Sequence, residues 1–131
     1  MPKTKSTYRN SQEYALVYSE LVTAARYRGY VTYQEIAKLL GWPQQGQWMG
    51  AQIGKLLGEI SEDEQNCGRP LLSAIAVSVT GMPGPGFFEW ARQLRRLDSD
   101  DRAQERAFWE KECRAVHEAW KVILPKDQAE S

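Results

Sequence analysis

The segment from Arg69 to Phe88 constrains the fold more than any other part of the chain. Its first half, "LLSAIAVSV", is rich in Leu, Ile and Val and lies between Pro70 and Gly81, which predicts a strand that is buried on at least one face. The following "TGMPGPG" excludes both helix and regular strand, because proline lacks an amide donor and glycine favours turns. We therefore predict a wing of a small winged-helix domain rather than a catalytic loop, with at least one of Phe87 and Phe88 buried.

A clear helix start precedes this segment. Thr32 and Glu35 have the spacing of a capping box, while Val31 and Ile36 occupy the two positions of a hydrophobic staple. These signals predict a short second helix, "YQEIAKLL", that ends at Gly41.

A third helix is predicted for "GQWMGAQIGKLLGEI". Together with the second helix it has the arrangement of a helix-turn-helix. Gly50 and Gly54 stand four residues apart and leave one side flat, which allows the close approach of another backbone. The following "SEDEQNCGR" is interpreted as an acidic loop in which Glu62, Asp63 and Glu64 are solvated.

The first and last helices are predicted to pack against each other. Asn10 and Glu13 have capping-box spacing, which indicates a first helix from about Ser11 to Tyr27. The last helix, "DDRAQERAFWEKECRAVHEAWKVIL", has an apolar stripe at helical spacing. The stripe either packs on Tyr14, Tyr18 and Leu21 of the first helix or forms a homodimer; it consists of Trp109, Cys113, Val116, Trp120 and Ile123.

The predicted fold class is mainly α with a small β element, a winged helix-turn-helix-like core with extra N- and C-terminal helices. Residues 11–124 are expected to form a single domain, residues 1–10 a flexible N-terminal arm and residues 125–131 a flexible tail. No apolar run reaches the roughly 20 residues of a membrane span, and the polar start is not a signal peptide. We therefore expect a cytoplasmic protein with no membrane partner.

Charge gives little support for nucleic-acid binding by the chain as a whole. Seventeen basic and seventeen acidic residues cancel, so no overall field draws the protein to a phosphate backbone. Lys3, Lys5 and Arg9 make the N-terminal arm basic. Such an arm either follows a phosphate backbone or is simply solvated.

Three stretches resemble a known family. "VTYQEIAKLLG", "QWMGAQIGKLLG" and "PLLSAIAVSVTG…GPGFFEWARQL" are similar to the winged-helix domain of alkylguanine-DNA alkyltransferases and their inactive alkyltransferase-like relatives, over about half of the chain. The "GRPLLSAI" and "GFFE" patterns also resemble those of bacterial proteins to which no function is assigned. The resemblance implies that Tyr33 presses on the phosphate of a target nucleotide. It also implies that Gln47 stands where the family has an arginine that fills the space left by a flipped base.

Departures from the family pattern exclude its chemistry. Between Leu71 and Thr80 there is no cysteine or histidine, so no thiolate is present to accept an alkyl group. Gln47 carries no charge, and the sequence shows no evident contacts that would offset the cost of extruding a base. Cys113 and His117 are too few for a structural metal site. We expect no enzymatic activity, no cofactor and no metal.

Two functions of different class remain. One is a DNA-binding protein; its recognition residues would be Tyr33, Gln45, Gln47, Trp48, Gln52 and Lys55. The other is a protein-interaction adaptor that uses the flat Gly50/Gly54 face, the acidic loop or the last helix. A basic patch that joins the N-terminal arm and Lys55 to Arg92, Arg95 and Arg96 would favour DNA, and a neutral apolar surface would favour a protein partner.

Overall fold

The computed structural model describes residues 6–122, and within them the fold is mainly helical with one small sheet, as predicted. In chain order the elements are α1 (Gln12–Arg26), β1 (Val31–Thr32), α2 (Tyr33–Leu40), α3 (Gln47–Asn66), a 3₁₀ segment (Leu72–Ile75), β2 (Ala76–Val77), α4 (Pro85–Gln93) and α5 (Arg102–Trp120).

Side-chain caps determine where α1 and α2 begin. The predicted capping box of α2 is confirmed, since Thr32 Oγ1 accepts from the amide of Glu35 at 3.1 Å and Glu35 Oε1 accepts from the amide of Thr32 at 2.9 Å. For α1 the cap is Ser11, whose Oγ accepts from the amide of Tyr14 at 3.1 Å. The predicted cap, Asn10, is wrong: its φ of 66° lies in the left-handed region, whereas an N-cap residue is extended.

The predicted acidic loop is wrong, because α3 continues through it to Asn66. Its acids are not solvated there, and Glu64 is fully buried. The Glu64 carboxylate accepts hydrogen bonds from Arg69 Nε at 2.8 Å and from the Tyr18 hydroxyl at 2.5 Å. A buried carboxylate needs such partners. The run of acidic residues that suggested a loop does not indicate that Arg69 and Tyr18 would provide them.

The predicted strand from Leu71 to Val79 is mostly wrong. Only Ala76–Val77 is a strand, and the four residues before it form the 3₁₀ segment. Side chains of α5 bind the backbone where a neighbouring strand would: Glu112 Oε2 accepts from the Leu71 amide at 2.7 Å, and Trp109 Nε1 donates to the Ala74 carbonyl at 2.8 Å. The apolar composition of residues 71–77 therefore reflects their complete burial rather than sheet formation.

The predicted wing is also wrong. A wing requires an antiparallel hairpin, but β2 pairs with β1 in parallel, with Val31 opposite Ala76 and Thr32 opposite Val77. The Gly- and Pro-containing turn after β2 leads directly into α4, which begins at Pro85. The prediction that at least one of Phe87 and Phe88 is buried is confirmed, since both are buried.

α5 makes intramolecular contacts with α1 and with the 3₁₀ segment. Trp109, Cys113 and Val116 are buried, and the ring of Trp120 lies edge-on to that of Tyr18 at 6.4 Å between centroids. The predicted stripe thus contacts α1, while its last member, Ile123, lies outside the described residues. The alternative, a homodimer through the C-terminal helix, stays a prediction. No helix within residues 6–122 is both long enough and apolar enough to cross a membrane.

Truncation after Leu97 should abolish folding. It removes the partners of the Leu71 amide and the Ala74 carbonyl and uncovers the apolar 3₁₀ segment. Circular dichroism should show no cooperative thermal transition for residues 1–97, whereas the full chain should show one. A soluble fragment 1–97 with a cooperative transition would show that α5 is an appendage.

Candidate nucleic-acid interface

Four of the predicted recognition residues lie on the exposed N-terminal part of α3 and the loop before it. Gln45, Gln47, Trp48 and Lys55 are exposed, and Trp48 keeps 54% of its surface accessible. The Trp48 ring stands edge-on to Trp42 at 5.2 Å between centroids, so one partner orients it while most of the ring faces solvent.

The other two predicted residues are already engaged within the chain. Gln52 is partly buried, and its side-chain oxygen accepts a short hydrogen bond from the Tyr8 hydroxyl. Tyr33 lies on the wall of a neighbouring cavity, where its hydroxyl accepts from the Gly84 amide at 2.6 Å. Its ring is not among the aromatic partners of Trp42, which are Tyr8 and Trp48.

The cavity beside α3 is the feature that sequence reasoning missed. It has a volume of about 320 Å³ and lies between α3 and the first turn of α4. Its walls are mostly apolar and include three aromatic rings. The lining residues are Tyr33, Gly50, Ile53, Gly54, Leu57, Gly58, Ser61, Ser73, Gly84, Pro85, Gly86, Phe87 and Trp90.

Glycines of α3 create this cavity. A Cβ at Gly50 or Gly54 would meet no atom within 4 Å, so the expected close approach of another backbone is wrong and this face opens into the cavity. The close approach occurs one turn later, at Gly58. There the Trp90 indole lies 2.2 Å from the position that a Cβ would take. The spacing of the glycines was the available signal, but it does not tell an open face from a contacted one.

Hydroxyl groups give the cavity one acceptor and one donor. Ser61 Oγ donates to the Leu57 carbonyl at 2.9 Å and lies 2.5 Å from Ser73 Oγ. Because a hydroxyl has a single proton, Ser73 then donates to Ser61 and its own oxygen is left as an acceptor. The Tyr33 hydroxyl accepts from Gly84 and keeps its proton for a ligand. Burial raises the pKa of Tyr33, so this proton is retained at neutral pH.

The two helices that border the cavity both begin at a glycine without a side-chain cap. These N-caps are Gly46 for α3 and Gly84 for α4. The N-caps of α1, α2 and α5 are Ser11, Thr32 and Asp101, and each accepts a hydrogen bond from its own helix. The first turn of α3 also contains no acidic residue. Its free amides and the helix dipole therefore favour an anion at this end.

The basic patch that would favour DNA is not formed in the described part of the chain. Three of its arginines are paired with carboxylates instead: Arg9 with Glu62 at 2.6 Å and Asp63 at 2.9 Å, Arg92 with Glu105 at 2.7 Å, and Arg96 with Glu112 at 2.8 Å. Lys55 and Arg95 stay exposed. The electrostatic attraction available at α3 is therefore small.

Cys113 and His117, the pair considered for a metal site, each contact a backbone carbonyl instead. The Cys113 thiol donates to the Ala74 carbonyl at 3.5 Å, and burial raises its pKa to about 12, so the thiol stays protonated at neutral pH. His117 Nε2 lies 3.0 Å from the Gly29 carbonyl. Residues 6–122 contain no group of three side chains suited to hold a metal ion.

Comparison of the chain with protein-family models, with curated proteins and with solved structures found no match.

Two alanine substitutions on the same helix should have opposite effects. Gly58→Ala should lower the free energy of unfolding by about 1–3 kcal/mol, because the new methyl group displaces the Trp90 indole. Gly54→Ala should raise it by about 0.5–1 kcal/mol, because the site is open and alanine favours helix. Urea denaturation followed by circular dichroism measures both values. Equal effects would contradict the assigned contact between Gly58 and Trp90.

Proposed function

We propose that the chain is a non-enzymatic DNA-binding protein that contacts DNA through the exposed N-terminal part of α3 and accepts an unpaired base in the adjoining cavity. The observation that carries this proposal is that α3 combines an aromatic-walled cavity along one side, an exposed tryptophan and an uncapped N-terminus.

The cavity suits a planar heteroaromatic group. A volume of about 320 Å³ is at the small end of ligand sites, which fits one base rather than a larger ligand. The rings of Tyr33, Phe87 and Trp90 provide faces for stacking. The Ser73 oxygen and the Tyr33 hydroxyl provide an acceptor and a donor, and the edges of the bases carry both kinds of group.

The surface around the cavity suits the rest of the nucleotide chain. The free amides at the start of α3 can donate to a phosphate, and Lys55 adds a positive charge on the same helix. Gln45 and Gln47 offer amide groups to base edges. Trp48 is exposed on the same helix and offers a ring that can stack on, or wedge between, bases.

Binding should depend on Trp48 and only weakly on salt. Because few cations remain unpaired near α3, the slope of log Kd against log salt concentration should be only about three to five. Trp48→Ala should weaken binding by about 1–3 kcal/mol, the value of one base–aromatic stack. Fluorescence anisotropy with a labelled duplex that contains one unpaired base measures both quantities.

The matched control for Trp48→Ala is Tyr27→Ala, which removes another exposed aromatic side chain at the end of α1. This variant should bind like wild type, and both should melt near the wild-type temperature. Equal affinity of wild type and Trp48→Ala would exclude α3 as the recognition surface.

Filling the cavity should remove the preference for an unpaired base. Gly54→Leu places an isobutyl group in the open space of the cavity, whereas Ala51→Leu adds a similar group on the exposed surface of the same helix. Wild type and Ala51→Leu should bind the duplex with an unpaired base more tightly than a fully paired duplex. Gly54→Leu should bind the two duplexes equally. A preference that survives in Gly54→Leu would place the base elsewhere.

A protein-interaction adaptor is the second candidate. It is favoured by the pairing of Arg9, Arg92 and Arg96 with carboxylates, because these arginines then do not form the basic patch that would favour DNA. On this alternative the cavity accepts an aromatic side chain of a partner protein. The alternative requires that neither duplex binds to the wild-type chain.

A further inference from the structure

The segment Ser6–Arg9, part of the predicted flexible arm, is bound to a buried carboxylate of α3. Glu59 is only 3% exposed. It accepts hydrogen bonds from the Ser6 hydroxyl at 3.2 Å and from the backbone amides of Thr7 at 3.1 Å, Tyr8 at 3.1 Å and Arg9 at 2.9 Å. Charge-assisted bonds of this kind are roughly twice as strong as neutral ones, so this segment is held in one place.

Arg9 adds a second attachment one turn further along α3. Its Nε donates to Asp63 at 2.9 Å, and its Nη2 lies 2.6 Å from Glu62. Asp63 also accepts from the Tyr14 hydroxyl of α1 at 2.6 Å. The segment is therefore attached to α3 both through its backbone and through a largely buried ion-pair cluster.

Tyr8, within the same segment, is the first of three aromatic rings in contact, and the last of them, Trp48, lies on the proposed recognition surface. The Tyr8 and Trp42 centroids are 5.8 Å apart, and those of Trp42 and Trp48 are 5.2 Å apart. The Tyr8 hydroxyl also bonds to Gln52, which lies on α3 one turn after Trp48. Contacts thus run continuously from the buried Glu59 to the exposed Trp48.

We propose that Ser6–Arg9 is a brace that positions Trp48 for DNA binding, with Glu59 as its anchor and Tyr8 as the positioning residue. This inference rests on the proposed function. The physical reason is preorganisation, since an exposed side chain that is already held in its binding orientation loses less conformational entropy when DNA binds.

The orientation of Trp48 can be tested without DNA. The chain contains five tryptophans, so labelling with fluorotryptophan gives five fluorine NMR resonances, and Trp42→Phe and Trp48→Phe assign two of them. Tyr8→Leu removes the ring and the hydroxyl but keeps the backbone bonds to Glu59. We expect it to shift or broaden the Trp42 and Trp48 resonances and to leave those of Trp90, Trp109 and Trp120 unchanged. Glu59→Gln, which removes the anchoring charge, should affect the same two resonances.

The effect on binding is tested by a double-mutant cycle that uses the duplex with one unpaired base. Tyr8→Leu should weaken binding by about three- to tenfold in the wild-type background and should have no effect in the Trp48→Ala background. Tyr27→Leu is the matched control and should bind like wild type. Thermal melting identifies any variant that loses its fold, and the cycle is interpreted only among folded variants.

The outcomes separate the brace from the proposed function. Unchanged Trp42 and Trp48 resonances in both Tyr8→Leu and Glu59→Gln would overturn the brace, whatever the affinity for DNA. An equal loss of affinity in the two backgrounds would overturn positioning through Trp48. Shifted Trp42 and Trp48 resonances in the two variants, together with a wild-type chain that binds neither duplex, would support the brace as a positioning element and overturn the proposed function instead.

Discussion

The burial of carboxylates along α3 is the constraint on which the rest of the structure depends. Glu59, Glu62 and Glu64 are all buried, and an unpaired carboxylate in such a position would cost several kcal/mol. Donors from the N-terminal segment match Glu59 and Glu62, the latter through the Arg9 side chain, and Arg69 together with Tyr18 of α1 matches Glu64. The C-terminal half of α3 in this way holds together elements that are distant in sequence.

The N-terminal half of the same helix has the opposite character. It exposes Trp48 and leaves Gly50 and Gly54 facing open space, so that α3 and α4 do not close on each other there. Only at Gly58 does the indole of Trp90 fill the gap. The C-terminal half of α3 is thus fixed by paired carboxylates, whereas its N-terminal half borders unfilled space. Ligand sites are commonly built where a rigid element borders such a space.

Local signals in the sequence predicted some local features correctly, although the cap of α1 is Ser11 and not the predicted Asn10. The capping box at Thr32 and the burial of Phe87 and Phe88 depend on neighbouring residues and were predicted correctly. The strand at Leu71–Val79 was wrong because Glu112 and Trp109, more than 30 residues away, satisfy its backbone. The cavity was missed for a similar reason: whether a glycine face is open or filled depends on α4, which periodicity within α3 does not describe.

The two-residue sheet has a consequence for the order of folding. Val31 pairs with Ala76, 45 positions later in the chain, and a single further pair, Thr32 with Val77, completes the ladder. Closing so long a loop costs conformational entropy that two residue pairs cannot repay, so this sheet is a poor nucleus. Thr32 is nevertheless the cap of α2, which forms from neighbouring residues alone. We therefore expect Thr32 of β1 to be ordered first as a helix cap, and β1 to join the sheet only after α3 has brought the second strand to it.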